Sequence, residues 1–192
     1  MKKLVALIVM TCLLCSCGGP LYYGYLPGTD YKIFQPKQPV DLQGKSFDIE
    51  FRDGRDGIDK IDCSSYSLDR ETELEGALGE QFFREYLTTI IQRSNGRIDP
   101  ASPNKIVVEL QGMSFKLIGV IYAVAHGFVQ FKATSPFLNK TYCADMTDHD
   151  DDAPLQWNSF VTRKTASRLI VSGAMGRAAE NFVRELASSS FN

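Results

Sequence analysis

The sequence predicts an α+β fold: a two-layer sandwich in which two helices cover one face of a four-stranded, mostly antiparallel sheet. Two observations lead to this prediction. Apolar and polar residues alternate in several segments of strand length, whereas two longer segments repeat their apolar residues near the helical period. The elements follow in the order β-α-β-β-β-α, which allows both helices to pack on one sheet face.

The first strand is predicted over residues 46–52. Phe47, Ile49 and Phe51 alternate with charged residues, a pattern typical of a half-buried strand. The first helix is predicted over residues 71–94, where the apolar residues form a stripe near helical period.

Three consecutive strands are predicted next, over residues 105–118, 120–134 and 140–146. Their short links favour an antiparallel meander. Within the first of them the apolar residues change parity around Gly112, so we predict a β-bulge at that glycine.

The last element is a helix that begins at Ser159 or Thr165 and ends at Ala187. Gly173 and Gly176 lie on or near its apolar face. Because glycine has no side chain, we expect them to let the helix approach another element closely.

The amino terminus has the pattern of an export signal: two lysines, then an apolar run over residues 4–14 that is short for a membrane span. Leu14, Ser16 and Cys17 resemble the lipobox of bacterial lipoproteins. The resemblance implies that residues 1–16 are a lipoprotein signal peptide and that Cys17 carries lipid. An ordinary secretory signal with incidental cysteines is the alternative.

The resemblance also implies a location. No Asp follows Cys17, and in the enterobacterial sorting rule its absence favours the outer membrane, here at the periplasmic face. Two or three acyl chains suffice for stable anchoring, whereas one chain gives only marginal binding.

Residues 17–44 are rich in proline, glycine and tyrosine, and we predict a lipid-anchored tether ahead of a periplasmic domain over residues 45–192. The tyrosines are unusual for a plain spacer and have two interpretations. They sit at the level of the lipid headgroups, where a ring with a polar tip is favourable, or they pack on the surface of the domain.

Two of the five cysteines, Cys63 and Cys143, remain once the signal peptide is removed and Cys17 is acylated. The compartment beyond the inner membrane is oxidising. We therefore predict a Cys63–Cys143 disulfide, which would constrain the unfolded chain by about 4.5 kcal/mol in the entropy model. Two separate thiols are the alternative.

Composition narrows the possible partners. The chain has 21 Lys and Arg against 23 Asp and Glu, a formal net charge of −2, and 44% hydrophobic residues. A nucleic-acid partner would require a basic face, and this charge balance does not predict one. We therefore expect no nucleic-acid partner. The hydrophobic content is sufficient for a core.

The sharpest charge cluster runs from residue 145 to residue 152. Asp148, Asp150 and Asp152 are candidate ligands for a divalent cation, because carboxylates suit Ca²⁺. The run has neither the glycine nor the glutamate that an EF-hand requires, so a solvated acidic loop without metal is the favoured interpretation.

No motif for catalysis or for a cofactor is visible. His126 lies in an apolar run and is more typical of a structural histidine than of a catalytic one. The apolar stretch 117–129 is too short to span a membrane as a helix and predicts a buried strand, with a hairpin tip that contacts lipid or protein as the alternative. We expect a protein without enzymatic activity; a hydrolase would need a nucleophile, a base and an orienting group.

The order of elements behind a lipobox resembles small Gram-negative outer-membrane lipoproteins: the YajG-like proteins, the LptE-like proteins of LPS assembly and the auxiliary lipoproteins of lipid-transport ABC systems. Residues 49–55 resemble the strand and Asp-x-Arg of YajG-like chains, and residues 173–179 resemble their small-residue final helix. The resemblance implies a protein or lipid partner in envelope assembly or transport. A structural envelope lipoprotein without a ligand is the alternative.

Overall fold

The structure, a computed structural model, describes residues 21–55, 76–118, 124–155 and 161–189. Its elements in chain order are β1 (Tyr22–Tyr25), β2 (Lys32–Phe34), β3 (Ser46–Asp53), α1 (Gly76–Arg93), β4 (Arg97–Ile98), β5 (Lys105–Ile118), β6 (Val124–Ser135), β7 (Leu138–Thr147) and α2 (Arg163–Ser188). Mixed α+β architecture with two helices is confirmed for the described residues.

The main sheet has five strands in the order β4-β3-β5-β6-β7, so the prediction of four strands is wrong. The additional strand, β4, consists of two residues, which is too short for any alternation to show in the sequence. β3 runs parallel to both of its neighbours, because α1 carries the chain across the sheet before β5 begins. The meander of β5, β6 and β7 is antiparallel, as predicted.

The predicted β-bulge is confirmed. Leu110 pairs with Phe131 and Gly112 pairs with Gln130, so one additional residue stands in β5 between these two positions. The bulge reverses the parity of the strand, and Leu110 and Met113 therefore both belong to the hydrophobic core.

Both helices pack on the same face of the sheet through aromatic contacts. Phe83 of α1 meets Phe51 edge-on, with ring centroids 6.1 Å apart. Phe182 of α2 meets Phe131 in the same way at 5.7 Å. Because these sheet residues all point to one side, that side holds the core.

Glycines let α2 approach the sheet closely, as the sequence predicts. A Cβ atom at Gly127 of β6 would come within 2.8 Å of the Val171 backbone nitrogen, and one at Gly173 would collide with the Met146 sulfur. Real Cβ atoms do not reach these distances, so α2 lies where only glycine fits.

The segment after Leu21 is not a free tether in the structure. β1 and β2 form an antiparallel hairpin, and Leu26, Tyr31 and Leu42 are buried in the core. Tyr31 stacks on Phe82 of α1 with ring centroids 4.1 Å apart. This contact explains the difference: Tyr31, one of the tyrosines that look unusual for a spacer, supplies apolar area to the core, whereas Tyr22 and Tyr25 remain exposed.

Two hydrogen bonds, one buried and one partly buried, fix the hairpin to the helices. The Phe34 N–H donates to the Tyr86 hydroxyl on α1 at 3.0 Å, and the Lys32 N–H donates to Ser172 Oγ on α2 at 3.0 Å. Burial raises the pKa of the Tyr86 hydroxyl, so it remains protonated under ordinary conditions.

Candidate binding groove

An open groove lies between the chain that follows β2 and the outer side of α2. Its volume is about 640 Å³, which is the size range of small-molecule sites. The residues around it come from the start of the described chain, the β7 region and α2, and they are Leu21, Phe34, Gln35, Pro36, Lys37, Met146, Asp151, Asp152, Gly173, Gly176, Arg177, Glu180, Asn181 and Arg184.

The apolar part of the groove comes from side chains that also belong to the packed interior. Phe34 and Met146 are buried, and Gly176 presents bare backbone. A Cβ atom at Gly176 would lie 2.9 Å from the Tyr86 hydroxyl, so the glycine keeps α2, α1 and β2 in contact beside the groove. The groove therefore presents apolar atoms and bare backbone to a ligand.

Arg177 forms the centre of the charged rim. Its guanidinium lies 2.8 Å from a carboxylate oxygen of Asp150, hydrogen bonds both carboxylate oxygens of Asp152, and donates to the Asp145 carbonyl at 2.7 Å. The Lys37 ammonium lies 2.7 Å from Asp152 Oδ2, the oxygen that also accepts a hydrogen bond from Arg177 Nε. One arginine and one lysine thus hold the end of the acidic loop against α2.

These contacts set the charge state of the rim. Burial by itself raises the pKa of the Asp152 carboxyl, but hydrogen bonds from Arg177 and Lys37 outweigh burial and lower that pKa to about 2. Burial by itself lowers the pKa of the Arg177 guanidinium, but the carboxylates of Asp152 and Asp150 outweigh burial and raise that pKa above its usual value. Both partners remain charged across the physiological range.

A second charged pair continues the rim along α2. Arg184 donates to Glu180 one turn earlier at 2.6 Å, and Glu180 also accepts a hydrogen bond from the Lys37 backbone N–H at 2.9 Å. The chain after β2 is therefore attached to α2 along one side of the groove.

The side chains around the groove indicate what kind of ligand it could bind. Among the described residues that form it there is no serine, cysteine or histidine, the side chains that most often act as nucleophile or base. Apolar atoms lie beside paired charges and hydrogen-bonding groups. Such a surface suits a ligand with an apolar part and a polar end.

The predicted metal ligands serve other partners. Asp148 accepts a hydrogen bond from the Ala125 backbone N–H at 3.2 Å, and Asp150 accepts one from the Thr147 hydroxyl at 2.9 Å. Asp152 pairs with Arg177 and Lys37. Within the described ranges, no group of three ligand side chains is placed to hold a metal ion.

The lipidation and disulfide predictions fall mainly outside the described residues. Cys17 and Cys63 both lie there, as does the signal peptide. Cys143 lies on β7, half-buried and opposite Gln130 of β6. The Cys63–Cys143 disulfide stays a prediction.

His126 lies near the start of β6 and is buried. Its ring stacks on Phe128 with centroids 5.9 Å apart. Burial lowers the pKa of its imidazole, against the opposing pull of the Asp145 and Asp148 carboxylates. These contacts are those of a histidine within a packed sheet.

The Asp-x-Arg motif connects two elements. Arg55 donates to Asp53 through Nε at 2.8 Å and to the Gly76 carbonyl at 2.7 Å. The pair therefore links the end of β3 to the start of α1. The hydrogen bonds lower the pKa of the Asp53 carboxyl.

Sequence reasoning missed Arg177 and Lys37. Arg177 stands out in the sequence as the one charged residue in a run of small residues, and that isolation is the signal that could have identified it. Lys37 carries no comparable signal. No helix in the described parts of the chain is both long and apolar enough to cross a bilayer.

Comparisons with known proteins give remote structural likeness alone. No protein-family model and no curated protein matches the chain. A Xanthomonas campestris protein of family model DUF330 aligns over 88% of this chain and 90% of its own, with 12% identity and a TM-score of 0.42. A minor lipoprotein from Acinetobacter baumannii aligns over 78% and 94%, with 10% identity and a TM-score of 0.38. At these TM-scores the likenesses carry no argument about function.

Proposed function

We propose that this protein is a lipid-anchored binding protein of the outer membrane, held at the periplasmic face by acyl chains on Cys17. Its groove binds a protein or lipid partner with an apolar part and a polar end, and it performs no catalysis. The observation that carries the proposal is the position of the groove. Leu21 lines it, and Leu21 lies four residues after the cysteine that the lipobox marks for acylation.

The rim chemistry supports a partner of mixed polarity. The rim contains three cations, each paired with a carboxylate: Lys37, Arg177 and Arg184. The rim therefore offers hydrogen-bond donors and acceptors together rather than an electrostatic potential of one sign. A strongly charged ligand would have to break these pairs. A ligand with a neutral polar end can use the remaining hydrogen-bonding positions.

The anchor is tested by labelling cells with radioactive palmitate and fractionating their membranes. We expect the wild-type protein to incorporate label and to sediment with the outer membrane. We expect Cys17→Ala to remain unlabelled and uncleaved. An unlabelled wild-type protein, or a Cys17→Ala variant that is processed as before, would contradict the anchor.

The groove is tested by pull-down from detergent-solubilised envelopes, with mass spectrometry of both proteins and lipids. Asn181→Trp places a large side chain at the groove, and Glu85→Trp places the same side chain on the exposed surface of α1 as a matched control. We expect a partner that the wild type and Glu85→Trp recover and Asn181→Trp loses. If no variant recovers a reproducible partner, a structural lipoprotein without a ligand becomes the better interpretation.

A further inference from the structure

The hairpin exposes an aromatic surface beside the start of the described chain. Leu21, Tyr22 and Tyr25 are 70%, 54% and 57% exposed. The Lys32 ammonium lies 5.3 Å from the Tyr22 ring centroid and 5.0 Å from that of Tyr25, so both rings and the lysine share one side of the hairpin. We call these four residues the hairpin face.

The hairpin face has a fixed orientation on the domain. The opposite side of the hairpin places Tyr31 and Ile33 in the core, and backbone groups of β2 are hydrogen bonded to Tyr86 and Ser172. Whatever the hairpin face contacts is therefore held rigidly relative to the whole domain.

The covalent chain limits how far this surface lies from the anchor. This step rests on the proposed acylation of Cys17. Four residue steps separate Cys17 from Leu21, and a fully extended chain covers at most about 3.6 Å per residue, or about 14 Å in all. Acyl chains on Cys17 would therefore hold Leu21 within about 14 Å of the bilayer surface.

We propose that the hairpin face docks directly on the phospholipid bilayer. Tyrosine is favoured at the headgroup level, because its ring is apolar and its hydroxyl remains hydrated, and Leu21 adds an apolar contact. Cations favour anionic headgroups. Lys32 lies within the face. The start of α2, where Arg163 and Lys164 are exposed, is attached to the hairpin turn, because the Thr165 hydroxyl donates to Asp30 at 3.0 Å.

Docking on this surface gives the groove a defined position. Leu21 belongs both to the hairpin face and to the groove, so the groove opens at the bilayer surface. A ligand that leaves or enters the membrane can then reach the groove without crossing the aqueous space.

The test uses the full-length acylated protein in vesicles of phosphatidylethanolamine and phosphatidylglycerol, with or without bromine atoms on the acyl chains as quenchers. In a Trp157→Phe background, Tyr22→Trp reports on the hairpin face. Phe137→Trp is the matched control, because Phe137 is 63% exposed in the turn between β6 and β7. That turn leads to Lys140, which pairs with Glu185, about 20 Å along α2 from the hairpin contact at Ser172.

We expect brominated lipid to remove roughly half of the tryptophan emission in the Tyr22→Trp variant, since interfacial groups lie about 5–10 Å into the boundary region. We expect no significant quenching in the Phe137→Trp variant. Mass spectrometry of the same samples reports whether Cys17 is acylated.

The outcomes separate the two proposals. Acylated protein in which Tyr22→Trp is unquenched, or quenched no more than Phe137→Trp, overturns docking and leaves the anchor intact. A blue-shifted but unquenched emission in the Tyr22→Trp variant also overturns docking, because a protein surface then covers the hairpin face. Absence of acyl chains on Cys17 overturns the anchor, and the docking proposal fails with it.

Discussion

The two halves of α2 are attached to the domain in different ways. In the first half, the backbone around Ile170 and Val171 lies against Gly127 of β6, and the contact is set by shape. The second half also packs in the core, where Phe182 meets Phe131, but it carries in addition Arg177, Glu180 and Arg184, which pair with polar partners at the surface. The comparison teaches that direct backbone contact constrains the first half, whereas the second half adds the rim of the groove to its side-chain packing. Substitutions in the two halves should therefore have very different effects.

The largest effect is expected where backbone meets backbone. Gly127→Ala places a Cβ atom 2.8 Å from the Val171 nitrogen, and a helix backbone cannot move aside as a flexible side chain can. We expect a loss of about 2–3 kcal/mol in the free energy of unfolding, measured by urea denaturation.

Gly24→Ala in β1 is the matched control, because a Cβ atom there would meet no heavy atom within 4 Å. It should change the free energy of unfolding by less than about 0.5 kcal/mol. If the two substitutions changed the free energy of unfolding equally, the backbone of α2 would be able to move aside and accommodate the added Cβ atom.

A smaller effect is expected where charges meet beside the acidic loop. The folded pKa of Asp152 is about 2, below the value of about 3.9 for an unfolded aspartate. Its ionised form therefore stabilises the fold above about pH 4, and this stabilisation is lost as the pH falls toward 2.

Asp152→Asn should thus cost about 1–2 kcal/mol at pH 7 and flatten the loss of stability between about pH 4 and pH 2. Urea denaturation across that pH range measures both effects. Asp151→Asn, at the exposed neighbouring residue, should leave the loss of stability at low pH unchanged. If Asp151→Asn flattened it equally, the ionisation of Asp152 would not be the cause of the pH dependence.

The smallest effect is expected at the exposed pair on α2. Arg184→Gln removes the contact with Glu180, and exposed pairs four residues apart contribute about 0.3–0.5 kcal/mol. Arg84→Gln removes the equivalent Arg84–Glu80 pair on α1 and is the control away from the groove. Both losses should disappear in about 1 M salt, where the Debye length is about 3 Å. A loss above about 1.5 kcal/mol for Arg184→Gln alone would mean that the rim of the groove is structural.

The parts of the fold that the sequence predicts are those with a local repeat. β3, β5 and both helices each contain enough residues for alternation or helical period to appear, and the bulge at Gly112 is visible as a change of parity. The parallel pairing of β3 and the presence of β4 in the sheet could not be predicted from the sequence, because strand order depends on contacts between distant segments.

The hairpin and the groove were hidden for related reasons. Pro27 and Pro36 flank or interrupt the segment and make it look irregular, although Tyr31 supplies core area that only the folded partner, Phe82, reveals. The acidic residues of the rim were visible, but their cationic partner Arg177 is on another element, 25 residues after Asp152. A charge cluster seen alone therefore looks like a metal site or a solvated loop.

The parallel pairing of β3 has a consequence for the order in which the strands can pair during folding. β6 follows β5 and β7 follows β6 after short links, so each of these pairings closes only a small loop. β3 pairs with β4 and β5, and both lie beyond α1 in the chain. Closing that long crossover costs more chain entropy than closing a hairpin turn, so we expect β3 to join the sheet after the meander of β5, β6 and β7 has formed.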